Sequence, residues 1–241
     1  MSGTLAGQRV VVIGGSAGIG LETARLARAE GAEVTITGRD ADRLARAAQE
    51  VGASGTAAFD ANDAARLADF FVDLPGPIDH VLVTAGGPHY GPILDMSPAD
   101  LSAALSGSLV RATSVARSAA ARMRPGGTLL LVGGTGGRRV RRGLGIISAV
   151  TAALPPFTAA LALELAPVRV NLIAAGFVDT PLSARLLGDD LDARREELRS
   201  TLPIGRVVLP ADVAALAVHL MTNTALTGAT YDIDGGQQFV S

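Results

Sequence analysis

The chain has 241 residues with 48% apolar side chains, enough for a full hydrophobic core, and no composition break divides residues 1–241, so a single domain is expected. Basic and acidic groups number 21 and 23, and the resulting net charge of -2 gives no bulk attraction to nucleic acid. Cysteine is absent, which excludes disulfides, thiolate catalysis and cysteine-ligated metal, and His80, His89 and His219 form no spaced ligand cluster. The opening MSGTLAGQR lacks a secretory hydrophobic region, and no apolar run approaches roughly 18 residues without polar interruption. A soluble cytoplasmic protein, not associated with membrane, is therefore expected.

Val10 to Ile13 is an uninterrupted apolar run that reads as a strand buried on both faces. Gly14 and Gly15 end it, and a helix pattern begins by Ile19. Gly18 and Gly20 fall where a side chain would keep a dinucleotide pyrophosphate away from the backbone. The helix N-terminus adds unpaired N–H groups and a favourable dipole. The spacing is G-x-x-x-G-x-G, which departs from the usual dinucleotide fingerprint, and a ligand-free glycine turn is the plainer alternative. The first helix closes at Gly31. A strand at Glu33–Thr37 follows, then Gly38-Arg39-Asp40 and a helix to about Val51. A weak strand, Gly55–Phe59, ends at Asp60, and an amphipathic helix at 63–72 is interrupted by Pro75-Gly76-Pro77. Val81–Val83 is a buried strand with Thr84-Ala85-Gly86-Gly87 as its exit. Helix signals run from about Ala99 to Met123 and stop at Pro125-Gly126-Gly127. Thr128–Val132 is the next strand. An arginine- and glycine-rich loop then leads to an alanine-rich stretch ending at Leu165. Arg169–Ile173 is a strand, 182–200 a charged helical stretch, Ala211–Met221 a helix and Tyr231–Ile233 the last strand. Strands alternating with helices at this spacing predict an α/β fold, a parallel sheet covered on both faces.

Ligands of such sheets bind at the ends of the strands. Arg39 stands just past the second strand, where a cofactor ribose would lie. Its guanidinium suits a 2′-phosphate through charge-assisted bonds, whereas a carboxylate there would accept from a free 2′-hydroxyl. Asp40 is adjacent, and a solvated loop arginine is the alternative. Asp60 could accept a bond from an adenine amino group, or cap the helix that starts near Asp63.

Seven segments together resemble the short-chain dehydrogenase/reductase family. They are Gly14-Gly15-Ser16-Ala17-Gly18-Ile19-Gly20, Asp60-Ala61, Leu163–Pro167, Arg169-Val170-Asn171, Gly176–Pro181, Pro203–Arg206 and Asp234-Gly235-Gly236. The resemblance covers nearly the whole chain and implies a Rossmann-like three-layer sandwich binding NADP, with NADPH preferred over NADH. It implies that Gly14, Ser16, Ala17, Gly18, Ile19 and Gly20 wrap the diphosphate. Ser16 and Arg39 would then contact the 2′-phosphate, Asp60 and Ala61 the adenine, Ala85 and Gly86 the ribose, and Val178 and Thr180 the carboxamide. It further implies a small-molecule carbonyl or alcohol substrate and a homodimer or homotetramer.

The same resemblance implies a proton relay of asparagine, serine, tyrosine and lysine. Their positions fall at Ser108, Gly134, Ile147 and Thr151, so all four differ. Neither Tyr90 nor Tyr231 has a lysine four residues on, and the chain contains no lysine at all, so no shift of alignment restores the pair. An isoleucine transfers no proton, and a threonine hydroxyl is not a fixed positive charge. Thr135, beside the serine position, and His89, in the loop after the fourth strand, are the replacement candidates; His89 has a suitable intrinsic pKa. Arg138, Arg139, Arg141 and Arg142 crowd a neighbouring loop, where they could select an anionic substrate or partner, cover the cofactor cleft, or lie in solvent or a subunit interface. Pro155-Pro156 predicts a kink or a restart in the helix bearing positions 147 and 151. Ala149, Ala152, Ala153 and Ala159 suit packing against another subunit or within the core. The expected function is thus an NADP(H)-binding oxidoreductase with a degenerate catalytic centre. A non-catalytic cofactor-binding sensor or structural subunit is the alternative.

Overall fold

The computed structural model describes residues 3–240. Seven strands, β1 (Arg9–Ile13), β2 (Glu33–Gly38), β3 (Gly55–Ala58), β4 (Ile78–Val83), β5 (Met123–Gly134), β6 (Arg169–Ala175) and β7 (Thr230–Ile233), form one parallel sheet in the order β3-β2-β1-β4-β5-β6-β7. Eight helices flank it: α1 (Gly18–Ala29), α2 (Ala41–Val51), α3 (Ala64–Asp73), α4 (Pro98–Ala120), α5 (Gly145–Glu164), α6 (Pro181–Leu187), α7 (Leu191–Thr201) and α8 (Pro210–Thr222). Strand alternation sorts the core into two layers. Val10, Val12, Val34, Ile36, Leu82 and Leu130 meet α1, α2 and α8 through residues such as Ala24, Leu44 and Val213. Val11, Ile13, Val81, Val83, Leu129 and Leu131 meet α3, α4 and α5 through Phe71, Val115 and Leu161. The strand order reverses between β1 and β4, which opens a crevice at their C-terminal ends.

Two boundaries differ from expectation. The fourth strand begins at Ile78 rather than Val81, and β5 runs from Met123 through Pro125-Gly126-Gly127 instead of starting at Thr128. Ile78 pairs with Met123 and His80 with Thr128, so the extra residues of β5 loop out of register between the two pairs, with Gly126 at φ 80 making the turn. Helix α4 correspondingly ends at Ala120.

The expected restart at Pro155-Pro156 is not found, because α5 continues as one element from Gly145 to Glu164 with both prolines inside. Two helical N–H donors are missing, those that would serve the carbonyls of Thr151 and Ala152. Ala152 and Pro156 lie on the exposed face of the helix. Leu154, Thr158 and Leu161 hold the other face of the helix in the core, and that packing outweighs the two lost bonds. By length and composition alone α5 could cross a membrane, but here it lies between α4 and strands β5 and β6.

The Arg169-Val170-Asn171 segment has a structural task. The buried Arg169 guanidinium donates to the carbonyls of Leu220 and Met221 at 2.8 Å, of Asn223 at 3.0 Å and of Leu226 at 3.1 Å. It thereby satisfies the orphan C-terminal carbonyls of α8 and complements the helix dipole. Asn171 donates to Leu226 O at 2.9 Å and accepts from Ala229 N, fixing the approach to β7.

Candidate functional site

The glycine turn after β1 occupies the crevice, and its contacts explain its composition. Gly14 has φ 101, and a Cβ there would lie 2.7 Å from both Ala85 N and Thr84 Oγ1. A Cβ on Gly20 would strike the carbonyl oxygen of Gly14. Gly18, at φ 56, sits 3.3 Å from Thr180 Cγ2 by the same measure. Gly14, Gly20 and Ala85 thus approach one another closely, and Gly18 approaches Thr180. Ala17 precedes α1 without a side-chain cap, and no acidic residue occupies the first turn. The first N–H groups of the helix, from Gly18, Ile19 and Gly20, are thus left for an anion. This cradle, kept clear of Cβ atoms, fits a dinucleotide diphosphate.

At the end of β2, Ser16 is 8% exposed and lies under Gly38, whose Cβ would be 2.9 Å from Ser16 Oγ. Ser16 Oγ accepts from Arg43 Nε at 3.3 Å, while Arg39 is exposed beside them. Arg43 is absent from the residues expected from the sequence. Its signal is positional: Asp40 caps α2 by accepting from Arg43 N at 2.9 Å, so the helix turns the Arg43 side chain back toward the glycine turn. The cap also engages Asp40, whose carboxyl is held below its ordinary range chiefly by that backbone hydrogen bond. Ser16, Arg39 and Arg43 fit an additional phosphate on a ribose.

On the adenine side, Asp60 is exposed and accepts from Asn62 N at 2.9 Å. The cap of α3 is Asp63, which accepts from Ala65 N and Arg66 N at 3.1 Å, so Asp60 does not have that role. Ala61 is buried against the core. A second unexpected arginine, Arg111 of α4, donates to Asn62 Oδ1 at 2.9 Å and reaches Ser108 Oγ at 3.5 Å. A Cβ on Gly86 would collide with its guanidinium. Burial lowers the Arg111 pKa, and the nearby Asp60 charge opposes that shift. Thr84 ties the two strand exits together: its Oγ1 donates to Gly14 O at 3.0 Å, and its N–H and that of Ala85 both donate to Ile13 O.

Val178 is buried and bridges to Val208, and Thr180 caps α6 through a reciprocal box with Ser183. Between them Asp179 receives both arms of Arg195, at 2.8 and 3.0 Å. This pair fastens α7 to the loop bearing Val178 and Thr180, a link not visible in the sequence.

Three of the four relay positions converge. A Cβ on Gly134 would lie 3.4 Å from Thr151 Cγ2, and one on Gly136 would lie 3.4 Å from Thr151 Oγ1 and 3.8 Å from Ile147 Cγ1. Thr151 is buried, and its hydroxyl donates to Ile147 O at 2.7 Å. Ser148 Oγ donates to Gly136 O at 2.9 Å. Ser108, the fourth position, is turned to Arg111. Thr135 is half-buried on the same wall and makes no side-chain hydrogen bond among the described residues. His89 is exposed in its loop without a hydrogen-bonded partner among the described residues, so the structure does not tie it to the relay positions. No group of three or more metal-ligating side chains occurs among the described residues.

Comparison with known proteins agrees with this geometry. A family model described as enoyl-(acyl carrier protein) reductase matches residues 14–238. An uncharacterized oxidoreductase of Mycobacterium tuberculosis is 33% identical, covering 95% of this chain and 91% of that protein. An NADP-dependent (R)-specific alcohol dehydrogenase of Lentilactobacillus kefiri is 31% identical, covering 98% of both. The crystal structure of a small-chain dehydrogenase in complex with NADPH superposes with TM-score 0.82 at 29% identity, over 96% of this chain and 99% of that one. With a sheet of this order, a glycine cradle at its switch point and matches along almost its full length, the chain belongs to the short-chain dehydrogenase/reductase family of oxidoreductases.

Proposed function

We propose that this protein is an NADP(H)-binding member of the family whose catalytic centre has lost its proton relay, so that hydride transfer to a carbonyl substrate, or from an alcohol, is slow. The observation that carries the reading is the chemistry of the wall formed by Gly134, Gly136, Ile147 and Thr151. It holds a hydrocarbon where an acid is needed and a hydroxyl already donated to a backbone carbonyl. The absence of lysine from the whole chain supports it.

Binding is assigned residue by residue. Gly14, Ser16, Ala17, Gly18, Ile19 and Gly20 hold the diphosphate, Ser16, Arg39 and Arg43 the 2′-phosphate, and Asp60 and Ala61 the adenine. Ala85 and Gly86 line the ribose, and Val178 and Thr180 meet the carboxamide. NADPH, when held by these residues, would supply a hydride to the carbonyl carbon of a substrate, whose oxygen would then need a proton. Ile147 has no proton to give that oxygen, and Thr151 has no positive charge to stabilise the anion of a neighbouring acid. Thr135 and water are the proton sources that remain on this wall. His89, exposed and without a partner, is the weaker candidate.

We further propose one domain over residues 1–241, a cytoplasmic location and a homo-oligomer. The last is supported by the exposed small-residue face of α5 at Ala149, Ala152 and Ala160, which ends at the 83% exposed Leu163. The deciding experiment combines calorimetric titration with NADPH and a steady-state NADPH-oxidation screen over ketones and aldehydes. Tight binding with very slow turnover is expected. Brisk turnover would overturn the degenerate centre, and no binding would overturn the cofactor assignment.

A further inference from the structure

Beside the relay wall lies a cavity of about 130 Å³ between the arginine-rich loop, α7 and the C-terminal segment. Its polar lining includes Thr135, Arg139, Arg141, Arg194 and Glu197. Two separate elements thus contribute three arginines and one glutamate to the same lining. Arg194 is paired with Glu197 at 2.6 Å, and Arg139 donates to a neutral acceptor, Gln237 O, at 3.2 Å. The exposed Arg141 accepts from Leu144 N at 3.0 Å through its backbone carbonyl, and its side chain has no hydrogen bond or ion pair among the described residues. Arg138 differs, because it is already committed to Asp232 and Gln238. Among the described residues the three arginines of this lining outnumber its one carboxylate, Glu197. Like charges brought together from different elements repel unless an anion lies between them.

We propose that this cavity receives the carboxylate of a small oxo acid whose carbonyl lies at the Gly134–Thr151 wall. This deepens the proposed function and rests on its placement of the substrate. Thr135 and Gly136 belong to both the cavity and that wall, so the two subsites are contiguous. The volume is that of about four water molecules at roughly 30 Å³ each, which suits a carboxylate on a short stem. A planar guanidinium fork matches a carboxylate with two parallel bonds.

The test is calorimetric titration of the full chain, with and without saturating NADPH, using levulinate, its neutral amide and inorganic phosphate at low salt. Levulinate is expected to bind at least about tenfold more tightly than the amide, a preference that weakens as salt is added. Arg141→Gln should cut that preference to within about twofold, whereas Arg142→Gln, outside the cavity lining, should leave it unchanged. Equal binding of acid and amide, absence of levulinate binding, tighter binding of phosphate, or an equal effect of the two arginine variants would each overturn the proposal. The acid–amide comparison without NADPH stands independently, so failure of cofactor binding is read separately from failure of the anion site.

Discussion

The hydroxyl of Thr151 is donated to the backbone carbonyl of Ile147, 2.7 Å away and one helical turn back. These are the two positions assigned to the relay's base-stabilising charge and its acid, and here they satisfy each other inside the helix. Ser148 O, at 3.3 Å, is a second acceptor within reach of the same hydroxyl. A threonine that back-bonds to its own helix is not available to a substrate oxygen. Thr151→Val should therefore leave any residual turnover within about twofold of wild type, since only a single neutral hydrogen bond of about 1 kcal/mol is lost. A loss of a hundredfold in kcat, measured with NADPH saturating, would show that the hydroxyl serves the reaction.

Cofactor preference follows from the corner made by Ser16, Arg39 and Arg43. NADPH is expected to bind more tightly than NADH, and Arg39→Ala should narrow the difference by about 1–3 kcal/mol through loss of a charge-assisted contact. Arg43→Ala should narrow it as well, and it also frees Ser16 Oγ from its 3.3 Å donor. Titration of both variants with both cofactors checks this, and equal wild-type affinities would refute it.

His80 makes stability depend on pH. It is 3% exposed on β4, its Nε2 lies 2.6 Å from Gln8 Oε1, and its Nδ1 has no partner among the described residues. Burial pushes its pKa from the ordinary 6.5 down to about 4; Asp79 opposes the shift, and Arg169 adds to it. The folded state thus holds His80 neutral, while the unfolded chain takes up a proton below its own pKa. The stabilisation is complete above pH 6.5, declines as the pH falls and is gone below about 4. Between about pH 7.5 and about pH 5 the unfolding free energy should drop by about 2 kcal/mol from this group. Urea unfolding at the two pH values measures it, and His80→Asn should remove most of the difference.

Arg169 is a stability determinant at a distance from the cleft. Arg169→Leu removes the donor to the α8 carbonyls and leaves them buried without partners, at a cost of at least about 3 kcal/mol. Unfolding by urea should show that loss, while NADPH affinity of the folded variant stays near wild type.

Much of this was legible in the chain itself. The run Val10–Ile13 ahead of the glycines could only be a strand buried on both faces, and Gly18 and Gly20 marked the close approach that the turn makes. The lack of lysine was visible without any alignment. Other features were not legible, for physical reasons. Arg43 faces Ser16 only because Asp40 fixes the start of α2, and a one-residue change in that cap would aim it elsewhere. Arg111 fits because Gly86 has no side chain, a coincidence of two segments distant in sequence. The prolines of α5 carry a strong local penalty, and tertiary packing of Leu154 and Leu161 overrides it. His89 has the residue type and the loop position of a proton donor, yet the fold leaves it exposed.

The strongest test rebuilds what is missing. Gly134→Ser is sterically open, since its Cβ would lie 3.4 Å from both Ala175 O and Thr151 Cγ2, an ordinary contact distance. Ile147 is half-buried beside Gly136, so Ile147→Tyr adds bulk at a wall with a glycine opposite. Thr151→Lys is the costly change: the site is 5% exposed, and an ammonium there loses hydration. Ile147→Tyr with Thr151→Lys supplies the acid and its charged neighbour, but no group to orient the substrate oxygen. A positioned acid commonly contributes about 10²–10⁴-fold, so the double variant should gain modest NADPH-dependent ketone reduction over wild type. Adding Gly134→Ser should raise it further. Melting temperatures of each variant separate a poor catalyst from a poor fold. If the wild type already reduces ketones briskly, His89→Ala and Thr135→Val come next. A large kcat loss in either would mark a relocated donor and make the centre divergent rather than degenerate.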